Sequence, residues 1–209
     1  MTPSALTLVT APDQEPVSLE EALAFLRVSN REEATLVQGL ITLAREEVEK
    51  YTGRALFTQT WRHVQPNWPT GPAEGPPRPA NALPTIILDR PPLASITHVK
   101  YYAEGAAVLS TLASTAYLVI TDYKPGLLVF IDETSLPDLE DRPDAVQITY
   151  VAGAAAIESV PAGLRQAMLL VLSHFYENRQ FLNIGNIVNE LPMSLRHLLE
   201  TYRVGGGVG

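Results

Sequence analysis

The residues best suited to acid–base or metal chemistry are four histidines, His63, His98, His174 and His197. No two of them stand at a common metal-ligand spacing such as i, i+4 on a helix, so a metal site would need distant segments to converge. His63 and His98 lie on strand-like runs and read as surface or half-buried sheet residues. His174 can pair with Glu177 or Asn178 one turn on, as a hydrogen-bonded contact residue. Carboxylates gather at Asp132, Glu133, Asp138, Glu140, Asp141 and Asp144. A pair of these could serve glycoside hydrolysis, but six in one inter-strand loop read more simply as a solvated acidic run. Cysteine is absent, which excludes thiol nucleophiles, disulfides and cysteine-bound metals. The glycines at 53, 71, 75, 105, 126 and 153 are isolated, with no phosphate-binding loop and no nucleophile elbow. Trp61 and Trp68 beside Arg62 could stack on bases, yet in so acidic a chain they read as buried anchors. No catalytic, cofactor-binding or metal residue is assigned, and the chain is expected not to be an enzyme.

Bulk properties narrow the classes further. The chain has 209 residues, 46% hydrophobic and 18% charged, enough for a sizeable core in one domain or two small ones. Its formal net charge of -8 argues against a protein that wraps nucleic acid, because phosphate contacts need lysine and arginine. The N-terminal residues have neither a basic region nor an apolar run of signal-peptide length. A soluble protein is expected, used in the cytoplasm or in a particle assembled there.

The elements are organised around one stretch, Val160–Arg179. Pro161 is placed where its missing N–H is harmless, and Leu164, Met168, Val171 and Phe175 recur at helical spacing. From Ala167 to Leu172 the helix is apolar almost all round, so it must pack inside its own domain, against a neighbouring subunit, or both. Tyr176, Glu177, Asn178 and Arg179 close it with a polar cluster that reads as contact surface.

Upstream, an N-terminal arm with a short edge strand at Leu6–Val9 leads to a helix capped by Ser18, with Glu21 completing a capping box. Asn30 and Glu33 repeat that logic for a longer helix ending at Thr52-Gly53, with Leu36, Leu40 and Leu43 on one stripe and Val37, Ile41, Ala44, Val48 and Tyr51 beside it. The period then becomes 2, at Phe57–Val64, Thr85–Asp89, Ile96–Tyr102, Val108–Leu112, Tyr117–Thr121, Leu127–Ile131 and Val146–Val151. A proline-rich segment, Pro66–Pro84, interrupts these runs as a stiff loop. After the loop Gln180–Glu190, Pro192 opens a last helix with Leu195, Leu198, Leu199 and Tyr202, and a glycine-rich tail ends the chain. The expected fold is α+β: an arm and helix pair (1–54), an inserted small antiparallel β-sandwich or barrel (55–152), and C-terminal helices (153–209) packing on the first pair.

Taken together and in order, VSLEEALAFLRV, EKYTGRAL with TQTW, LDRPPLASITHVKYY, ITYVAG and VPAGLRQAMLLVLSHFYENR resemble the head–tail connector (adaptor) proteins of long-tailed bacteriophages, prophages and gene transfer agents. The likeness runs from about Leu6 to Arg203 and departs from the usual pattern in the expanded segment Pro66–Pro84. It implies a structural protein of the virion neck, without cofactor, assembled in the host cytoplasm. It also implies a homo-oligomeric ring of about twelve copies in head-to-tail contact. Such a ring joins the portal protein to a stopper or tail-completion protein and lets DNA pass without sequence-specific binding. In that setting Arg179, Arg196, Tyr202 and Arg203, with Tyr176 and Glu177, are the expected protein contacts, since arginine and tyrosine anchor interfaces. The alternatives are another neck component such as a stopper, a carbohydrate-binding or hydrolytic β module, and a nucleic-acid binder that would need a basic stripe.

Overall fold

The computed structural model describes residues 4–29, 31–71, 83–132, 136–178 and 192–205. The chain divides into two compact units, residues 1–12 with 58–153 and residues 13–57 with 154–209.

The first unit is built on antiparallel strands. Five of them, β1 (Ala5–Thr10), β2 (Gln59–Gln65), β8 (Val146–Ala152), β4 (Leu93–Tyr101) and β5 (Ser110–Thr111), form one sheet in that order. Three more, β3 (Thr85–Leu88), β7 (Gly126–Phe130) and β6 (Tyr117–Ile120), form a second. Neither sheet closes into the barrel that short, closely spaced strands allowed as one outcome; each ends on open strands. The Val108–Leu112 run yields only the two-residue β5, and Val108 is exposed. The N-terminal arm, which the sequence grouped with the helix pair, contributes β1 to this unit by pairing with β2.

Alternation decides which residues are inside. On β2, Gln59 and His63 are buried and Trp61 is half-buried, while Arg62 between them is exposed. His63 is thus deeper than its sequence position suggested. Trp68 anchors this unit as expected: its indole N–H donates to Pro137 O at 2.9 Å, and its ring lies 5.3 Å from Phe130 and 5.8 Å from Tyr101. Gly126 is required by packing, since a Cβ there would come within 2.5 Å of the Leu93 Cβ. Thr85 N donates to Gly71 O and closes the base of the proline-rich segment, whose residues 72–82 lie outside the described residues.

The second unit is helical: α1 (Leu19–Leu26), α2 (Ala34–Thr52), α3 (Ala162–Glu177) and α4 (Met193–Glu200). Ser18 caps α1 by accepting from Glu21 N, and Arg27 ends it in the left-handed region. The start of α2 differs from the capping-box reading. A 3-10 turn at Arg31–Glu33 precedes it, Glu33 makes no side-chain cap, and Asn30 lies outside the described residues. The buried face of α2 is Val37, Leu40, Ile41, Ala44 and Val48, with Leu36 exposed; the true stripe is rotated away from Leu36.

Helix α3 resolves the question that its all-round apolarity posed. Leu164, Ala167, Met168, Leu169, Val171, Leu172 and Phe175 are buried within the chain against α1, α2 and α4, and among its large apolar residues Leu170 is exposed. The helix spends nearly all its apolar surface on its own unit, so its composition by itself does not call for a neighbouring subunit.

Candidate interaction surfaces

Helices α2 and α3 run antiparallel, which splits the expected contact residues into two groups. At one end the Tyr176 hydroxyl donates to Glu33, just before α2, and the exposed Glu177 accepts from Ser173 Oγ at 3.2 Å. At the other end, Tyr202 lies against Gly163 at the start of α3, where a Cβ would displace it. Tyr202 O accepts from Arg54 Nε at 2.5 Å, and Val204 N donates to Thr52 O at 2.8 Å. Gly163 and Tyr176 stand thirteen positions apart on the helix, about 20 Å, so the two groups do not form one patch. Arg179 lies outside the described residues.

The second group is a compact cluster. Tyr51 Oη donates to Glu200 at 2.9 Å, and the exposed Arg203 pairs with the same carboxylate at 3.3 Å. Glu200 holds the Tyr51 phenol above its ordinary pKa, against the opposing charges of Arg203 and the half-buried Arg196. Leu195 and Leu199 are buried beneath it. Helix α4 is therefore seated on its own unit.

A feature the sequence reading passed over lies inside this unit. Arg45 is buried on the apolar side of α2, donating to Glu15 Oε2 at 2.9 Å and Glu49 Oε2 at 2.8 Å. Glu49 Oε1 in turn accepts from Leu56 N at 2.7 Å, and Glu15 Oε1 from Thr42 Oγ1 at 2.9 Å. The available signal was Arg45 and Glu49 at i, i+4 beside Ile41, Ala44 and Val48, where a surface pair would not sit.

Among the described residues of the acidic loop, Asp144 and Glu140 bind neighbouring turns. Asp144 takes a bidentate grip from Arg142, at 2.5 and 2.9 Å, which holds its carboxyl below the usual range, and Glu140 accepts from Gly105 N at 2.6 Å. Asp141 is exposed, and Glu133 lies outside the described residues. These carboxylates fasten turns. Among the described residues no group of three His, Asp or Glu could hold a metal ion. His174 bonds with Asn178, not Glu177, and His197 is exposed.

Among the described residues, a short basic row crosses the five-stranded sheet. Arg62, Thr149 and His98 lie in one row across β2, β8 and β4, with Lys100 opposite Gln147 in the next. Burial, and then Lys100, push the His98 pKa down. Two permanent cations neutralise too few phosphates for firm DNA binding, since affinity scales with the number of such contacts.

On the opposite face, His63 Nε2 is paired with Gln65 Oε1 at 3.2 Å, while its Nδ1 is buried with no partner. Burial pushes its pKa below 6.5. The unfolded chain then binds a proton that the folded chain resists, so stability is full above the unfolded value and falls as pH drops through 6.5. His63→Gln is expected to flatten that acid-side slope in urea titrations between about pH 5 and pH 7, and an unchanged slope would show that His63 is not its source.

No protein-family model and no curated protein matches this chain. Solved structures do. A chain of the "Neck of empty GTA particle computed with C6 symmetry" aligns with a TM-score of 0.72 at 20% identity, covering 98% of both chains. The two chains share one fold. A chain of the "Virion of native gene transfer agent (GTA) particle" aligns at 0.71 and 19% identity over 98% of this chain and 97% of that one. A chain of the "Neck of native GTA particle computed with C12 symmetry" gives 0.64 at 19% identity, again over 98% of both. These three structural neighbours are chains of gene-transfer-agent particles, two of them from the neck.

Proposed function

We propose that this chain is a structural neck component of a tailed phage or phage-like particle, the adaptor that links the portal of a DNA-filled head to the tail. The observation that carries the reading is the end-to-end match with neck chains, 98% of each chain in register with 98% of the other. A like domain reused elsewhere would match over part of its length. The C6 and C12 symmetries of those necks support a ring of repeated copies, about twelve, each touching the next by a heterologous contact.

On this reading the protein acts in the virion, after assembly in the host cytoplasm, and does no catalysis. DNA passes through the ring during packaging and ejection, and a net charge of -8 favours sliding over adhesion. The cluster of Arg196, Tyr202 and Arg203 on the helical unit is the portal-facing surface, with Arg179, two residues past Glu177 in the sequence, as a further expected contact. Tyr176 and Glu177, at the far end of α3, face a different partner, the stopper or tail-completion protein.

Sedimentation of the purified protein, alone and with the portal encoded in the same genome, tests this. A ring-sized species or co-sedimentation with portal is expected. Binding to the tail-side component without any binding to portal would identify a stopper, and a monomer indifferent to both would overturn the neck assignment.

A further inference from the structure

Of the four sheet edges among the described residues, two are unusable for pairing. Strand β5 is two residues long, and β3 is buried except for the half-buried Ile87. The other two are open. On β1, Leu8 and Val9 are 42% and 50% exposed; on β6, Leu118 and Val119 are 52% and 38% exposed. Among the described residues, no backbone group outside β2 pairs with β1, and none outside β7 pairs with β6. The β1 ladder is irregular between Leu8 and Thr10; on the regular β6, adjacent residues point to opposite faces, so that edge presents apolar side chains on both sides.

Neither strand, ALTLVT or YLVI, contains a charge or a proline. Soluble proteins guard exposed edges with such residues or with bulges, because an unguarded edge recruits another strand; β1 carries one irregularity, between Leu8 and Thr10, and β6 carries none. Beside β6 the apolar surface widens, with Val129 directly opposite Leu118 and the exposed Ile131 bonded to Ala116. Both edges can therefore take a further strand, whereas α3 has most of its apolar residues buried within the chain, with Leu170 exposed.

We propose that β1 of one copy pairs with β6 of the next. This rests on the ring reading above. A closed ring needs two different, mutually complementary surfaces on every chain, and these two edges are such a pair. Pairing β6 with β6 would instead close a two-fold dimer and leave β1 bare. The occupant of each edge is thus a second copy of this chain, joined by a backbone ladder between uncharged strands. The β6 patch then lies under the neighbour, and the contact varies little with salt because no ion pair contributes.

The absence of cysteine makes a clean test. Leu8→Cys and Leu118→Cys proteins are prepared separately, mixed under ring-forming conditions with portal, and treated with a short bis-maleimide. A covalent dimer is expected only in the mixture, and a chain carrying both substitutions is expected to give a ladder up to ring size. Leu118→Lys, checked by circular dichroism for an intact fold, is expected to raise the concentration needed for assembly about tenfold or more, one like-sized step in association free energy. A dimer from Leu118→Cys alone would overturn the proposal in favour of two-fold pairing. Rings that form normally in the lysine variant, without cross-linking in the mixture, would overturn the edge contact and leave the neck reading intact. Absence of any ring from the unsubstituted protein would remove both.

Discussion

Truncating Arg45 to alanine is expected to destabilise the helical unit by about 3–5 kcal/mol, the usual cost of leaving buried charge uncompensated. The side chains of Arg45 and Glu49 are 5% and 8% exposed, and that of Glu15 is 17% exposed. Alanine would remove the cation that Glu15 Oε2 and Glu49 Oε2 share. The network also carries backbone duty, because Glu49 Oε1 caps Leu56 N where the chain leaves α2 for the β unit. The triple change Arg45→Met, Glu49→Gln and Glu15→Gln removes all three charges and keeps acceptors for Leu56 N and Thr42 Oγ1, so it is expected to recover much of the loss. Urea denaturation followed by far-ultraviolet circular dichroism, which reports on the helices, measures both. A loss below about 1 kcal/mol for Arg45→Ala would mean that the network behaves as a solvated surface pair.

Leu199→Ala is expected to cost about 2–5 kcal/mol, as for other fully buried leucines, and to loosen the whole segment 192–205. Leu199 is 0% exposed and holds α4 on α2 and α3; Tyr202 and the Val204–Thr52 hydrogen bond depend on that seat. Arg203→Ala is expected to change stability by less than about 0.5 kcal/mol, because its partner Glu200 is also exposed. The pair separates two roles of this surface. If α4 is a folded platform, portal binding falls in both variants, but hydrogen exchange in residues 192–205 rises only in Leu199→Ala. Exchange that is already fast in the unsubstituted protein would show that the platform forms only on contact.

How far the amino-acid order revealed these features varied with the length scale of the physics involved. Periodicity located α1, α2, α3, α4 and the principal strands, because burial of one face repeats every 3.6 or 2 residues and needs no knowledge of partners. The capping box at Ser18 was readable for the same reason. The seat of β1 was not, because an exposed edge strand carries no burial signal and its partner β2 lies beyond both N-terminal helices. The neighbours of α3 were equally hidden: an apolar surface states that something covers it, not whether that cover is α4 or another subunit. For the site, residue type nominated Tyr202 and Arg203, but separating Tyr176 from them required the antiparallel crossing of α2 and α3. Arg45 escaped notice because a cation at i, i+4 from a glutamate looks the same on the surface and in the core.

The interleaving of the two units has a consequence for synthesis on the ribosome. Strand β1 emerges first but has no ladder until β2 follows two helices later, and α2 is complete before any of α3 exists. Residues 58–153 intervene between the halves of the helical unit, and translating them takes on the order of ten seconds at ordinary rates. Throughout that interval the α2 face of Val37, Leu40 and Ile41 lacks the α3 surface that covers it in the finished chain. Nascent chains stalled within the β segment are therefore the species most exposed to misassociation, and the helical unit closes only as the last helix clears the exit tunnel.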